Sequence, residues 1–377
     1  MSIYFLKYQA KNLSINAYLI ILKASTMTEK KYLKSLNWFR GIAIIFVFLS
    51  HVPKGEINGI TANFLHSFFG NGTFYFVFIS GYLFWHLKDR FEYIGYIKNK
   101  IKNVILPYLF VLTPVLILYG ILEVNLDTPN EVLFSGLLIK NGLIWHLLVG
   151  GMAANPPLWF IPMIIIFFIT SPIIYSLSES KYFNILLLIT IVFSILSFRP
   201  DTLQYPLYSY FHFYGVYLFG IFCKKNERLV FYHSKKIALI SFFSYFAFVI
   251  IDVNYGVFGS GAPKFAPMFT DGMSLIYINY NQIQKLFGAV FFLSFLFYIE
   301  NKNELNIIAL DTCAKYSFGI FFIHYYWIVI LRNLFNGTHL SYIIISIVGF
   351  MASLISLYIF KGIVARMKLD SRIFVGC

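Results

Sequence analysis

Apolar runs of about 20 residues recur from one end of this chain to the other, and that recurrence restricts its fold more than any other feature. A run of this length matches the hydrocarbon thickness of a bilayer when helical. Only helices or closed barrels satisfy their backbone polar groups in lipid, and runs of helical length select the former. We read ten spans, at about 36–53, 71–88, 103–123, 157–178, 182–198, 206–223, 236–253, 283–300, 316–335 and 341–365. The expected fold class is therefore all-α, a polytopic transmembrane helix bundle. Composition agrees: 59% of the 377 residues are hydrophobic and 12% charged, with a mean hydropathy of +0.73. The stretch 131–151 is apolar but broken by Lys140, Asn141 and Gly142. It reads as a loop or re-entrant segment, with an eleventh span as the rival.

The formal charge of +14 does not indicate a nucleic-acid partner, because the basic residues sit in short clusters between apolar runs. With the N-terminus inside, 24 of the 30 Lys and Arg fall on the inner side. The positive-inside bias then places both termini in the cytoplasm, with an even number of spans. Residues 1–26 carry one nine-residue apolar run, too short to span. They read as an interfacial helix or an upstream extension, dispensable to the single transmembrane domain expected over 27–377. Cys223, Cys313 and Cys377 show no metal spacing and no disulfide framework, and no metal is expected.

Some residues in the spans are not there for the lipid. Arg40 and His51 both lie in "LNWFRGIAIIFVFLSH". Eleven helical residues rise about 16 Å and complete about three turns, so the two side chains share a face. Ionisable groups within a span turn to the bundle interior or to water. Arginine suits phosphate or carboxylate, and neutral histidine suits proton transfer from a hydroxyl. Taken alone, the pair also fits a snorkelling charge at one interface and a polar residue at the other. Ser80 and Gly81 form a small notch in an aromatic span, which fits ligand entry or close helix packing. Lys98, Lys100 and Lys102 alternate just before span 3. They fit donor phosphates, or equally a topogenic cluster on anionic lipid. Trp159 stands at an outer interface and His324 well inside span 9.

Five stretches in order, "SLNWFRGIAIIFVFLSHV", "FVFISGYL", "KNKIKNVILPYLF", "PLWFIPMI" and "YSFGIFFIH", together resemble the acyltransferase-3 family of integral membrane acyltransferases, over about Leu33 to Arg366. The resemblance implies transfer of an acyl group, usually acetyl, from cytoplasmic acetyl-CoA to a hydroxyl of a cell-surface or lipid-linked glycan. It thus implies polysaccharide biosynthesis, with O-acetylation in the cell envelope. It implies that Arg40 and His51 are the catalytic pair and that Lys100 and Lys102 bind the donor. Ser80, Gly81, Trp159 and His324 are then expected to line the site. The chain departs from the family where two arginines often stand three apart: here the positions hold Lys100 and Asn103. The rival function is an exporter of polysaccharide or lipid-linked sugar, although the chain shows no repeat of the kind transporters carry. Heavy use of Ile, Phe, Tyr, Asn and Lys fits a bacterium with AT-rich DNA, and hence a multi-pass protein of a bacterial cytoplasmic membrane.

Overall fold

The computed structural model describes residues 34–54, 57, 59–124, 155–197, 206–255, 278–302, 307–335 and 341–377, and every regular element among them is a helix. Among the described residues helix α1 covers 34–51. It is followed by α2 (Gly59–Phe69), α3 (Thr73–His86) and α4 (Tyr93–Lys100), a π-helical turn Ile101–Ile105, and α5 (Leu106–Val124). A 3-10 turn Pro156–Trp159 leads into α6 (Phe160–Ile169), α7 (Ser171–Glu179) and α8 (Phe183–Leu196). Then come α9 (Pro206–Lys225), α10 (Glu227–Tyr232), α11 (Ser234–Tyr255) and α12 (Tyr280–Lys302). The last are α13 (Ile308–Phe335), α14 (Ser341–Arg366) and α15 (Arg372–Val375).

Each of the ten expected segments is helical, but they are not alike. Among the described residues four helices, α11 to α14, are long and apolar enough to cross a membrane. A fifth crossing arises if the pair Pro156–Ile169 and Ser171–Glu179, bent by 58°, counts as one span. The bend has a local cause. Pro172 stands at the start of α7 and cannot donate to the turn before it, so the ladder breaks at Thr170–Ser171. Helix α8 is apolar but short, and α9 carries four tyrosines and a histidine among its 20 residues. Residues 1–26 and 131–151 lie outside the described residues. Helix α2 was not expected, because its 11 residues fall between two apolar runs.

Lipid provides no hydrophobic drive between helices, so close packing must hold the bundle. Rings supply much of it: Phe39, Phe46, Tyr75 and Phe292 bring α1, α3 and α12 together at centroid distances of 5.4 to 5.8 Å. Small residues supply the closest approaches. A Cβ on Gly41 would stand 2.5 Å from the Leu310 carbonyl, so α1 crosses α13 backbone to backbone. Polar groups clip the ends. Glu300 of α12 accepts from the Ser35 backbone N–H (3.2 Å) and from its hydroxyl, tying α12 to the first described turn of α1. Lys285, fully buried, donates to the carbonyls of Ser67 (3.0 Å) and Phe68 (2.7 Å), which end α2.

Candidate functional site

Helix α1 carries a polar group near each end, and the structure gives each a different setting. Arg40 donates through Nη2 to Ser317 Oγ of α13 at 3.0 Å, with the Ala314 carbonyl at 3.4 Å. Ser317 gives its own proton to the Ala314 carbonyl at 2.8 Å, so its oxygen is left to accept. The guanidinium also borders a cavity of about 610 Å³, within the range of small-molecule sites.

Cationic groups of the cavity wall come from three elements: Arg40 of α1, Arg90 after α3, and Lys100 at the end of α4. The one carboxylate there among the described residues, Glu92, accepts from the Ile94 and Gly95 N–H groups (3.0 and 2.6 Å) and so caps α4. The wall therefore favours an anion. Lys100 lies over the Phe168 and Tyr96 rings, 4.7 and 5.1 Å from their centroids. Burial, and next to it the Arg40 charge, pushes its ammonium down to about 8. Asn103 shares the wall, and its Oδ1 is buried with no hydrogen-bond partner among the described residues. An orphaned acceptor at a cavity wall fits a donor group of a ligand. Ser80 borders the cavity too, with its hydroxyl returned to the Phe76 carbonyl at 2.7 Å.

At the other end of α1, His51 meets His324 of α13, ring centroids 5.3 Å apart and edge to face. His324 Nδ1 lies 3.0 and 2.9 Å from the Ile320 and Phe321 carbonyls. A carbonyl only accepts, so Nδ1 carries the proton and Nε2 keeps its lone pair. That Nε2 is buried without a partner among the described residues. His51 Nδ1 likewise lies 2.8 Å from the Val47 carbonyl, which leaves its Nε2 as the basic atom. Neither histidine borders the cavity. Phenylalanines link the two places: Phe160, in the cavity wall, packs on Phe321 at 5.5 Å, and Phe321 on His324 at 6.1 Å.

The structure thus brings Arg40, Ser80 and Lys100 to one cavity, and His51 to His324. Trp159 is buried in the 3-10 turn, stacked on Phe213 at 6.0 Å, and it adjoins the wall through Phe160. Asn155, which precedes that turn, donates to the Phe322 carbonyl at 3.2 Å and so ties the turn to α13. Gly81 is not at the cavity. Its Cβ would stand 2.0 Å from the Tyr217 carbonyl, and a Cβ on Gly220 would stand 2.1 Å from the Phe78 carbonyl, so the two glycines seat α3 on α9. Lys102 is not there either: it pairs with Asp370 at 2.9 Å. Arg90 and Phe160 were not singled out from sequence, where a charge in a basic loop and a ring in an aromatic helix look ordinary. Among the described residues no three His, Cys, Asp or Glu side chains gather as a metal site requires.

A helical chain with apolar spans is a multi-pass membrane protein, and in this one Arg40, Arg90 and Lys100 give the cavity wall a positive character. The family model for an acyltransferase domain, the acyltransferase-3 type, matches residues 33–362. The chain belongs to the acyltransferase-3 family and is a membrane acyltransferase. No curated protein and no solved structure matches it.

Proposed function

We propose that the protein transfers an acyl group, acetyl in the first instance, from cytoplasmic acyl-CoA to a hydroxyl of a cell-surface or lipid-linked glycan. The observation that carries this reading is the placement of Arg40 and His51. One helix delivers a guanidinium to a cationic cavity at one end and a basic imidazole nitrogen to a second histidine at the other. The cavity suits the donor: Arg40, Arg90 and Lys100 for phosphates, Asn103 Oδ1 for an amide N–H, and aromatic walls for the pantetheine arm. In the transfer, His51 Nε2 takes the proton of the acceptor hydroxyl as its oxygen attacks the thioester carbonyl. The tetrahedral intermediate collapses with loss of the thiolate, which takes that proton from the imidazolium. We further propose that all ten helical segments cross the membrane, with both termini cytoplasmic, in a bacterial cytoplasmic membrane. The run of basic clusters along the chain supports that arrangement.

Replacement of His51 by Ala tests the chemistry. The variant inserts at wild-type level, while acetyl-CoA consumption by the purified protein and acylation of surface glycans, read by mass spectrometry, fall by roughly 10²- to 10⁴-fold. Normal acylation in an inserted variant removes His51 from the mechanism. A recoverable acyl adduct on His51 makes it an acyl carrier rather than a base. A polysaccharide exporter, in contrast, consumes no acetyl-CoA at all.

A further inference from the structure

The segment Asp370–Cys377 lies beyond residues 33–362, which the family model matches, yet it reaches the cavity. Gly376 is part of the wall. Its backbone is left-handed (φ 71°), and a Cβ there would stand 3.3 Å from the Phe318 side chain and 3.4 Å from the Asn103 carbonyl. Phe318 and Asn103 are wall residues themselves. Helix α15 packs on α5 and on the π-helical turn. Phe374 seats it there, 5.0 Å from Phe110 and 6.3 Å from Phe360. Val375 and Cys377 are buried, and Ser371 Oγ donates to the Cys377 carbonyl.

The π-helical turn decides which lysine does what. Lys100 and Asn103, three residues apart, share a face and meet the cavity. Lys102 leaves the turn on another side and pairs with Asp370 at 2.9 Å. Asp370 is held in turn by Nε and Nη2 of Arg372, each at 2.9 Å. π-Helical turns recur at functional sites, where they re-aim side chains.

We infer that the segment Asp370–Cys377 is a wall of the donor site, and that the Lys102–Asp370 pair positions the π-helical turn so that Lys100 and Asn103 face the donor. This rests on the proposed reading of the cavity as the acyl-CoA site. Lys102 is then a positioning residue, whose charge is spent on Asp370 rather than on a phosphate. Its effect belongs to donor capture and not to the chemical step.

The test measures KM and kcat for acetyl-CoA on the full chain in detergent, with CoA binding followed by thermal shift. Asp370→Asn raises KM about three- to fivefold, the scale of a half-exposed ion pair, with kcat within twofold. Phe374→Ala, which unseats the segment without touching a charge, also raises KM. Made together with Arg372→Gln, which removes the second cation at position 370, the double reversal Lys102→Asp with Asp370→Lys restores KM to within about twofold of Arg372→Gln alone. A lysine that grips phosphate directly is not rescued by reversal, so failure of rescue in a protein that still binds CoA overturns the proposal. A fall in KM in Asp370→Asn overturns it as well, because Asp370 would then be competing with the donor for Lys102. Unchanged KM in both Asp370→Asn and Phe374→Ala overturns it and leaves the reading of the cavity standing. A wild-type protein that neither binds CoA nor consumes acetyl-CoA removes that reading, and this proposal with it.

Discussion

Lys100 shows how one residue's setting turns into a measurable response. Its ammonium sits against two rings and near Arg40, and it is pushed down to about 8. The sign follows from the direction of that shift. A lysine whose folded value lies below its unfolded one binds fewer protons when folded, so its burial costs stability at low pH. That cost is relieved as pH rises from about 8 towards the ordinary lysine value. Donor capture runs the opposite way, since phosphate needs the charged form. The expected outcome is a KM for acetyl-CoA that climbs as pH passes about 8 and a Lys100→Met variant whose KM is raised and flat over the same range. A pH profile of KM in the two proteins checks this. A parallel climb in both would assign the titration to another group. The spacing of Arg40 and His51 was readable because residues eleven apart in a helix return to the same face after about three turns. The division of labour between Lys100 and Lys102 was not, because alternation along a chain does not reveal a π-helical turn. The same holds for His324: its depth in a span was plain, but its encounter with His51 depends on how α13 lies against α1.

Between elements, α3 and α9 cross closely beside the site, where two glycines each face a carbonyl of the other helix. The notch at Ser80 and Gly81 had two explanations in the sequence, and the two residues divide them. Ser80 borders the cavity, while Gly81 makes room for Tyr217 of α9. A side chain at 81 must push backbone rather than a flexible tip, and overpacking of this kind typically costs about 1–3 kcal/mol. Gly81→Ala is therefore expected to lower the thermal midpoint in detergent, with Gly81→Val worse. Ser80→Ala, which removes only a hydroxyl bonded within its own helix, leaves the midpoint near wild type. Equal stability in Gly81→Val and wild type would show that α3 and α9 separate without penalty. Element boundaries were legible wherever an apolar run was continuous, as in α11 and α14. They were not legible where the chain bends at Thr170–Ser171 or where α2 packs its 11 residues over the bundle, since length and hydropathy carry no record of tertiary support.

For the whole molecule, helix ends provide a direct test of how the bundle threads the bilayer. Helix α11 runs from Ser234 to Tyr255, about 33 Å at the helical rise, enough to cross the hydrocarbon core. Tyr232, just before it, and Tyr255 at its far end are both well exposed. A crossing therefore puts them in opposite compartments. Leu87 at the end of α3 and Met367 at the end of α14 are exposed too, as is Ile60 at the start of α2. Ten crossings with a cytoplasmic N-terminus put Leu87, Tyr232 and Met367 inside, and Ile60 and Tyr255 outside. Cysteine placed singly at these positions, with Cys223, Cys313 and Cys377 replaced by serine, reports the side by reaction with a membrane-impermeant maleimide. In sealed cells the 60 and 255 variants label, and the 87, 232 and 367 variants label only after permeabilisation. The comparison of 87 with 232 is the sharpest arm. Between them lie α5, the bent pair α6–α7, α8 and α9; the bent pair, taken as one span, has the length and hydropathy of a crossing, and α8 is apolar but short. If that pair crosses alone, 87 and 232 fall on opposite sides. If all four segments cross, both sit in the cytoplasm with Lys88, Lys100, Lys224 and Lys225, where the positive-inside bias places such clusters. That outcome would also put the part of the cavity wall formed by Leu87 and Arg90 on the side where acyl-CoA is made.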